Sequence, residues 1–113
     1  MAKNVVFLNA LPLNIFPQTR FYLKVERVSV KTAISYMQSL FNQGYGIANY
    51  IRHPATVSLI NRIFNLPLAP NNALYRYEHG DVLFVVSLKK PVRGAEVESL
   101  TADDLDIFIV ELA

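Results

Sequence analysis

The chain opens on a short apolar run, Asn4 to Leu8, rich in β-branched and aromatic residues and stopped by Asn9, which predicts a buried strand. Residues 10 to 19 are nearly as apolar, but Pro12 and Pro17 remove backbone donors, so this stretch predicts a loop. Its Leu11, Leu13, Ile15 and Phe16 are too apolar to stand free in water and are expected to lie against the body or a partner. From Arg20 to Val28 the pattern alternates, Phe21, Leu23 and Val25 against Arg20, Lys24 and Glu26, with Tyr22 blurring it. That is the period of a half-buried strand.

The period then lengthens. Ser29 can cap a helix whose apolar positions Val30, Ala33, Ile34, Met37, Leu40 and Phe41 recur at spacings of three and four, and Gly44 and Gly46 follow as stop signals. A short extended segment, 46 to 51, leads into Arg52-His53-Pro54. Pro54 suits the first turn of a second helix, where a backbone donor is not needed. Val57, Ile60, Ile63 and Phe64 form its buried stripe, and Asn65 and Pro67 end it. Farther on, Ala73 to Tyr77 and Val82 to Leu88 flank Glu78-His79-Gly80-Asp81, which predicts a hairpin with His79 as a turn residue. Lys89 to Ala95 reads as a basic loop, Thr101 with Asp104 as a capping box for one helical turn, and Asp106 to Leu112 as a strand. There is no repeat, linker or low-complexity tract, so residues 1–113 read as a single α/β domain.

Composition narrows what such a domain can do. With 52% apolar and 18% charged residues among 113, the chain lies far from the signature of disorder, and its mean hydropathy of +0.25 hints at a buried oligomer face. The absence of cysteine excludes disulfides, thiolate metal sites and a cysteine nucleophile, and a reducing cytoplasm is the natural compartment. The first residues, MAKNVVFLNALPLNIFP, hold too short an apolar run for a signal-peptide core, and nowhere do 18 apolar residues run together, so no membrane is expected as a partner. A net charge of +2 is too weak for the basic stripe of a duplex-DNA binder, whereas small anions remain plausible ligands.

The chain has no P-loop, no Rossmann glycine fingerprint, no nucleophile elbow and no paired-histidine zinc spacing, so no cofactor and no metal is expected. What remains is His53 at a predicted helix amino terminus, beside Arg52 and ahead of the backbone amides of Ala55 and Thr56, an arrangement that suits a phosphate. The competing use of His53 is architectural, as a capping residue. Tyr75 and Tyr77 are spaced either to stack bases or to pack across strands.

Several stretches in order carry a resemblance: the opening strand running into Leu8-Asn9-Ala10, then Ile51-Arg52-His53-Pro54-Ala55-Thr56, Asn72, His79-Gly80-Asp81, and Leu88-Lys89-Lys90-Pro91 with Gly94. Together they resemble the viral ring nuclease family, also known as type III anti-CRISPR proteins of archaeal viruses and phages, with relatives on bacterial mobile elements. The family pattern at the helix entrance is isoleucine, glycine, histidine, any residue, a small residue, then threonine; Arg52 replaces the glycine here.

The resemblance implies an α+β fold, a mixed sheet of about five strands with helices packed on it. It also implies a homodimer whose interface cradles cyclic tetra-adenylate. The implied reaction is metal-independent: a ribose 2′-hydroxyl attacks the neighbouring phosphorus, leaving linear products that end in a 2′,3′-cyclic phosphate and so silencing a messenger of type III CRISPR defence in the host cytoplasm. His53 takes the place of the histidine thought to protonate the departing 5′ oxygen, a task for which an imidazole is suited near neutral pH. Asn9 matches a position that lines the pocket.

The late loop departs from the family. Lys90 stands where an arginine is usual and Arg93 where a glutamate is usual; Glu96, three residues on, is a possible substitute for that glutamate. The asparagine matching Asn72 is followed in the family by an arginine, here Ala73, for which Arg76 is a possible replacement, and Arg93 is a further phosphate contact. Lys89, Lys90 and Arg93 also have a plain reading as solvated charges. Three functions stay open: a ring nuclease, a non-catalytic sponge or sensor of cyclic oligonucleotides, and a small regulator that binds nucleic acid or protein.

Overall fold

The two segments whose apolar runs lack alternation occupy the middle of a single sheet. The computed structural model describes residues 3–89 and 99–113. Its strands are β1 (Asn4–Leu8), β2 (Leu23–Val28), β3 (Gly46–Asn49), β4 (Val82–Leu88) and β5 (Leu105–Leu112), in the spatial order β2-β5-β4-β1-β3. β1 runs parallel to both β3 and β4, with Val5 opposite Ile47 on one side and Val82 on the other. β5 is antiparallel to β4 and to β2. The sheet is therefore mixed.

Two helices, α1 (Val30–Asn42) and α2 (Pro54–Phe64), cover one face. There Val5, Phe7 and Phe84 meet Met37, Leu40, Ile60 and Phe64, and the Phe7 ring lies 5.4 Å edge-on from Phe64 and 5.5 Å from Phe84. The other face holds Val6, Leu8, Leu83 and Val85 and is covered by loops through Ile15, Phe16, Tyr75 and Tyr77. Strands covered on both faces have no wet side to mark by a polar residue, which is why β1 and β4 read as unbroken apolar runs. Each fully buried side chain of this kind contributes roughly 1.5–3 kcal/mol.

The capping signals act as expected. Ser29 Oγ accepts the Thr32 amide at 3.1 Å and opens α1, Asn65 closes α2 in the left-handed region at φ 57, and Thr101 and Asp104 form the capping box of a short 3-10 turn, Ala102–Asp104. The loop after β1 folds back as expected, burying Ile15 and Phe16, while Leu13 stays exposed.

The structure corrects the expected hairpin. Residues 73 to 77 form no strand, because β4 already has β1 on one edge and β5 on the other. The segment instead crosses the loop-covered face, where the Tyr77 amide donates to Ile15 O at 2.9 Å. It also ties down its own end: the Tyr75 hydroxyl donates to Asp81 Oδ2 at 2.5 Å, and the Asn4 amide donates to Asp81 Oδ1 at 3.0 Å. Tyr75 and Tyr77 thus owe their spacing to neither strand pairing nor a free stacking surface. Two boundaries also shift: β2 begins at Leu23 rather than Arg20, and β5 begins at Leu105 rather than Asp106.

Candidate functional site

Because β1 is parallel to both of its neighbours, the chain leaves β1, β3 and β4 at the same end of the sheet. Loops at the carboxyl ends of parallel strands are where such sheets place ligand sites. Asn9 leaves β1 there, and residues 50 to 53 leave β3 to enter α2.

The turn from β3 into α2 is held by amide side chains. Buried Asn49 accepts the Ile51 amide at 3.1 Å through Oδ1 and donates through Nδ2 to Ile51 O at 3.1 Å and Ala69 O at 2.8 Å. Asn71 donates its own amide to Ile51 O at 3.0 Å and its side chain to Asn49 O at 3.0 Å. On the far side of α2, Asn61 pairs with both Leu68 backbone groups at 2.8 Å. These bonds bring residues 69 to 73 back against the start of α2.

His53 is the N-cap residue of α2 and is exposed, but its side chain makes no capping hydrogen bond. No acidic residue sits in the first turn, and the first helical bond runs from the Val57 amide to His53 O. The amides of Ala55 and Thr56 precede that bond, so the positive end of the helix is left without a side-chain cap. This contrasts with α1, where Ser29 supplies one. His53 lines a cleft of about 480 Å³ with Arg52, Pro54, Pro70, Asn71 and Asn72. The cleft offers an imidazole, a guanidinium and two amide side chains, all able to donate hydrogen bonds to an anion.

A neighbouring cleft of about 500 Å³ is drawn from the same stretches of chain. It takes Asn9 from the end of β1, Tyr50 from the segment before His53, and Ala73, Tyr75 and Arg76 from the segment after Asn72, with Asn14 on its rim. The Tyr50 and Tyr75 rings lie 4.9 Å apart within it. Burial, and then the bond to the Asp81 carboxylate, push the Tyr75 phenol well above the ordinary tyrosine range, so it stays neutral.

The structure thus gathers Arg52, His53 and Asn72 in one cleft and Asn9 and Arg76 in the next. Ala55 and Thr56 are half-buried in the first turn and do not line either cleft with their side chains. Lys90, Arg93 and Glu96 lie outside the described residues. His79 is exposed in the turn before β4, away from both clefts. Sequence reasoning missed Asn49 and Asn71. Their signal was the recurrence of asparagine on both sides of α2, a side chain that mimics backbone in turns. Among the described residues no helix is long and apolar enough to cross a membrane, and no group of three or more His, Asp or Glu side chains is placed to hold a metal.

The family model described as STIV B116-like matches residues 5–112. The chain belongs to that family. Among solved structures it is similar to B116 of Sulfolobus turreted icosahedral virus, with a TM-score of 0.75 over 95% of this chain and 97% of that one, at 15% sequence identity. At that identity the likeness is one of fold. Among curated proteins none matches. In this chain the two clefts lie at the carboxyl ends of the parallel strands of a fold that a viral protein shares.

Proposed function

We propose that this B116-like chain is a metal-independent ring nuclease that binds cyclic tetra-adenylate across a homodimer interface and cuts it to linear products with 2′,3′-cyclic phosphate ends. The observation that carries the reading is His53: an exposed imidazole at the uncapped amino terminus of α2, set in a cleft with Arg52 and Asn72. A phosphate seated there meets free amides and the positive helix end, and the imidazole is within the same cleft to protonate a departing oxygen. Arg52 offsets charge that builds on the phosphorane oxygens. The neighbouring cleft, with Asn9, Tyr50 and Arg76, takes the adjoining nucleoside.

A second copy of the chain is part of the proposal. Leu74, 97% exposed, lines the Asn9 cleft, so a second chain seated over that cleft covers it. A viral or phage origin, with action in the host cytoplasm, accords with the viral relative.

Arg93 favours a second reading. A positive charge cannot replace the glutamate usual at that place, so a sponge that holds the ring without cutting it is the alternative. The two readings differ in turnover. Purified protein is mixed with labelled cyclic tetra-adenylate in EDTA, at stoichiometric and substoichiometric amounts, beside a His53→Ala variant. Linear products from the wild type, with a loss of about 100-fold or more in the variant, are the expected outcome. Intact ring that co-elutes with the protein selects the sponge. Absence of both cleavage and co-elution overturns the assignment.

A further inference from the structure

Three tyrosines, Tyr50, Tyr75 and Tyr77, pack on the loop-covered face of the sheet, and their hydroxyls divide them. Tyr75 and Tyr77 are buried, and both donate to Asp81, the first to its carboxylate at 2.5 Å and the second to its carbonyl at 3.0 Å. These two hold the face together. Tyr50 is only half-buried and lines the Asn9 cleft, and its hydroxyl has no hydrogen-bond partner among the described residues. It is held in place by other means. The Tyr50 amide donates to Phe7 O at 3.0 Å, and the deeper Tyr75 ring lies 4.9 Å away at an interplanar angle of 55°. Tyr75 cannot turn without giving up its bond to Asp81, whose other carboxylate oxygen accepts the Asn4 amide at 3.0 Å. An aromatic ring thus lines the cleft with its backbone pinned to β1 and a locked neighbour beside it.

We propose that Tyr50 is the stacking platform for an adenine base, with Tyr75 as the positioning residue that keeps it in place. This use of Tyr50 rests on the ring nuclease reading and adds the group that grips the base. An aromatic face stacks on any base, most strongly on the larger ring system of a purine, so the face supplies grip and the polar rim supplies choice. That rim carries two exposed carboxamides, Asn9 and Asn14, and the exposed guanidinium of Arg76. Asn14 is presented by the 3-10 turn Leu13–Ile15, which buried Ile15 anchors by accepting the Tyr77 amide at 2.9 Å. A carboxamide offers one donor beside one acceptor, the complement of the amino group and ring nitrogen on the outer edge of adenine, whereas guanine presents two acceptors there. Arg76, the cation of the cleft, is left for a phosphate.

The base is stacked equally before and during cleavage, so loss of the platform raises KM and leaves kcat nearly untouched. His53 acts on kcat, and the two contributions are separable.

The test uses the full chain with Tyr50→Leu, which keeps an apolar side chain but removes the aromatic face, Tyr50→Phe, which restores the face, and Tyr75→Phe. Each is checked for folding by circular dichroism. The probe is cyclic tetra-adenylate with one adenine replaced by 2-aminopurine, whose fluorescence falls on stacking and is read without interference because the chain has no tryptophan. Tyr50→Leu is expected to abolish the quenching and raise KM about tenfold, with kcat within about twofold of the wild type. Tyr50→Phe recovers both. Tyr75→Phe, with its ring released from Asp81, shows reduced quenching at saturation. Cyclic tetra-uridylate is expected to bind the wild type about tenfold more weakly than the adenylate ring and to lose that handicap in Tyr50→Leu, a change that a purely structural tyrosine does not produce. Equal quenching and equal KM in Tyr50→Leu overturn the platform while turnover still upholds the ring nuclease reading. Where the ring is neither bound nor cut, that reading falls, and linear di-adenylate carrying 2-aminopurine judges the platform alone: quenching that Tyr50→Leu abolishes upholds it, and absence of quenching overturns it too.

Discussion

Single side chains decide the geometry of this site more than any patch of charge does. Asn49, itself buried, satisfies three backbone groups around the turn that carries His53: the Ile51 amide and carbonyl and the Ala69 carbonyl. Asn49→Ala leaves these groups short of partners at a buried position, and a loss of about 2–3 kcal/mol in urea unfolding is expected. Asn49→Asp keeps the acceptor for the Ile51 amide but sets a carboxylate against two carbonyls, so it is expected to be no better than alanine. A variant as stable as the wild type would show that the turn is held by Asn71 alone. His53 shows the converse economy: it occupies a capping position and does no capping, which frees both the imidazole and the helix amides for a ligand.

At the scale of elements, the two helices end by different chemistry, and each end is separately testable. Asn65 closes α2 at φ 57, a conformation that asparagine and glycine tolerate and residues such as alanine resist. Asn65→Ala is expected to cost about 1 kcal/mol in thermal or urea unfolding, whereas Asn65→Gly remains close to the wild type. Equal stability of the two variants would place the helix stop in the Asn61–Leu68 bonds instead. The segment 73 to 77 teaches a related lesson. Its alternation of tyrosines mimics a strand, but an element that lacks a free edge to join becomes a cover, and its tyrosine hydroxyls then require a buried acceptor, which Asp81 supplies.

For the whole molecule, buried phenols set an alkaline limit on stability. Tyr75 and Tyr36 both have ionisation pushed well above the usual value of 10.0, first by burial and then by hydrogen bonds to Asp81 and Glu111. In the unfolded chain these phenols lose their protons near that ordinary value, while in the fold they keep them. Above it the unfolded state binds fewer protons than the native state, and stability falls as pH rises. A flat melting temperature is expected through pH 9, followed by a loss above pH 10 of roughly 1 kcal/mol per pH unit for the buried Tyr75. Tyr75→Phe removes that part of the slope. An identical slope in the variant would assign the loss to other groups.

The periodicity of the chain by itself determined most elements, because helix stripes, caps and proline positions are local: α1 from Ser29, α2 from Pro54 to Asn65, and the capping box at Thr101 are all legible from residues a few positions apart. It also marked Arg52 and His53, since a proline in a first turn announces the helix end beside them. Tertiary structure alone decided the rest. Which strand is central depends on partners far along the chain, so the false hairpin at 73 to 77 could be exposed only when β1 and β5 had taken both edges of β4. Likewise Asn72 joins His53, and Asn9 joins Arg76, because parallel pairing of β1 with β3 and β4 brings their carboxyl ends to one side, and no spacing in the sequence encodes that parallel sense.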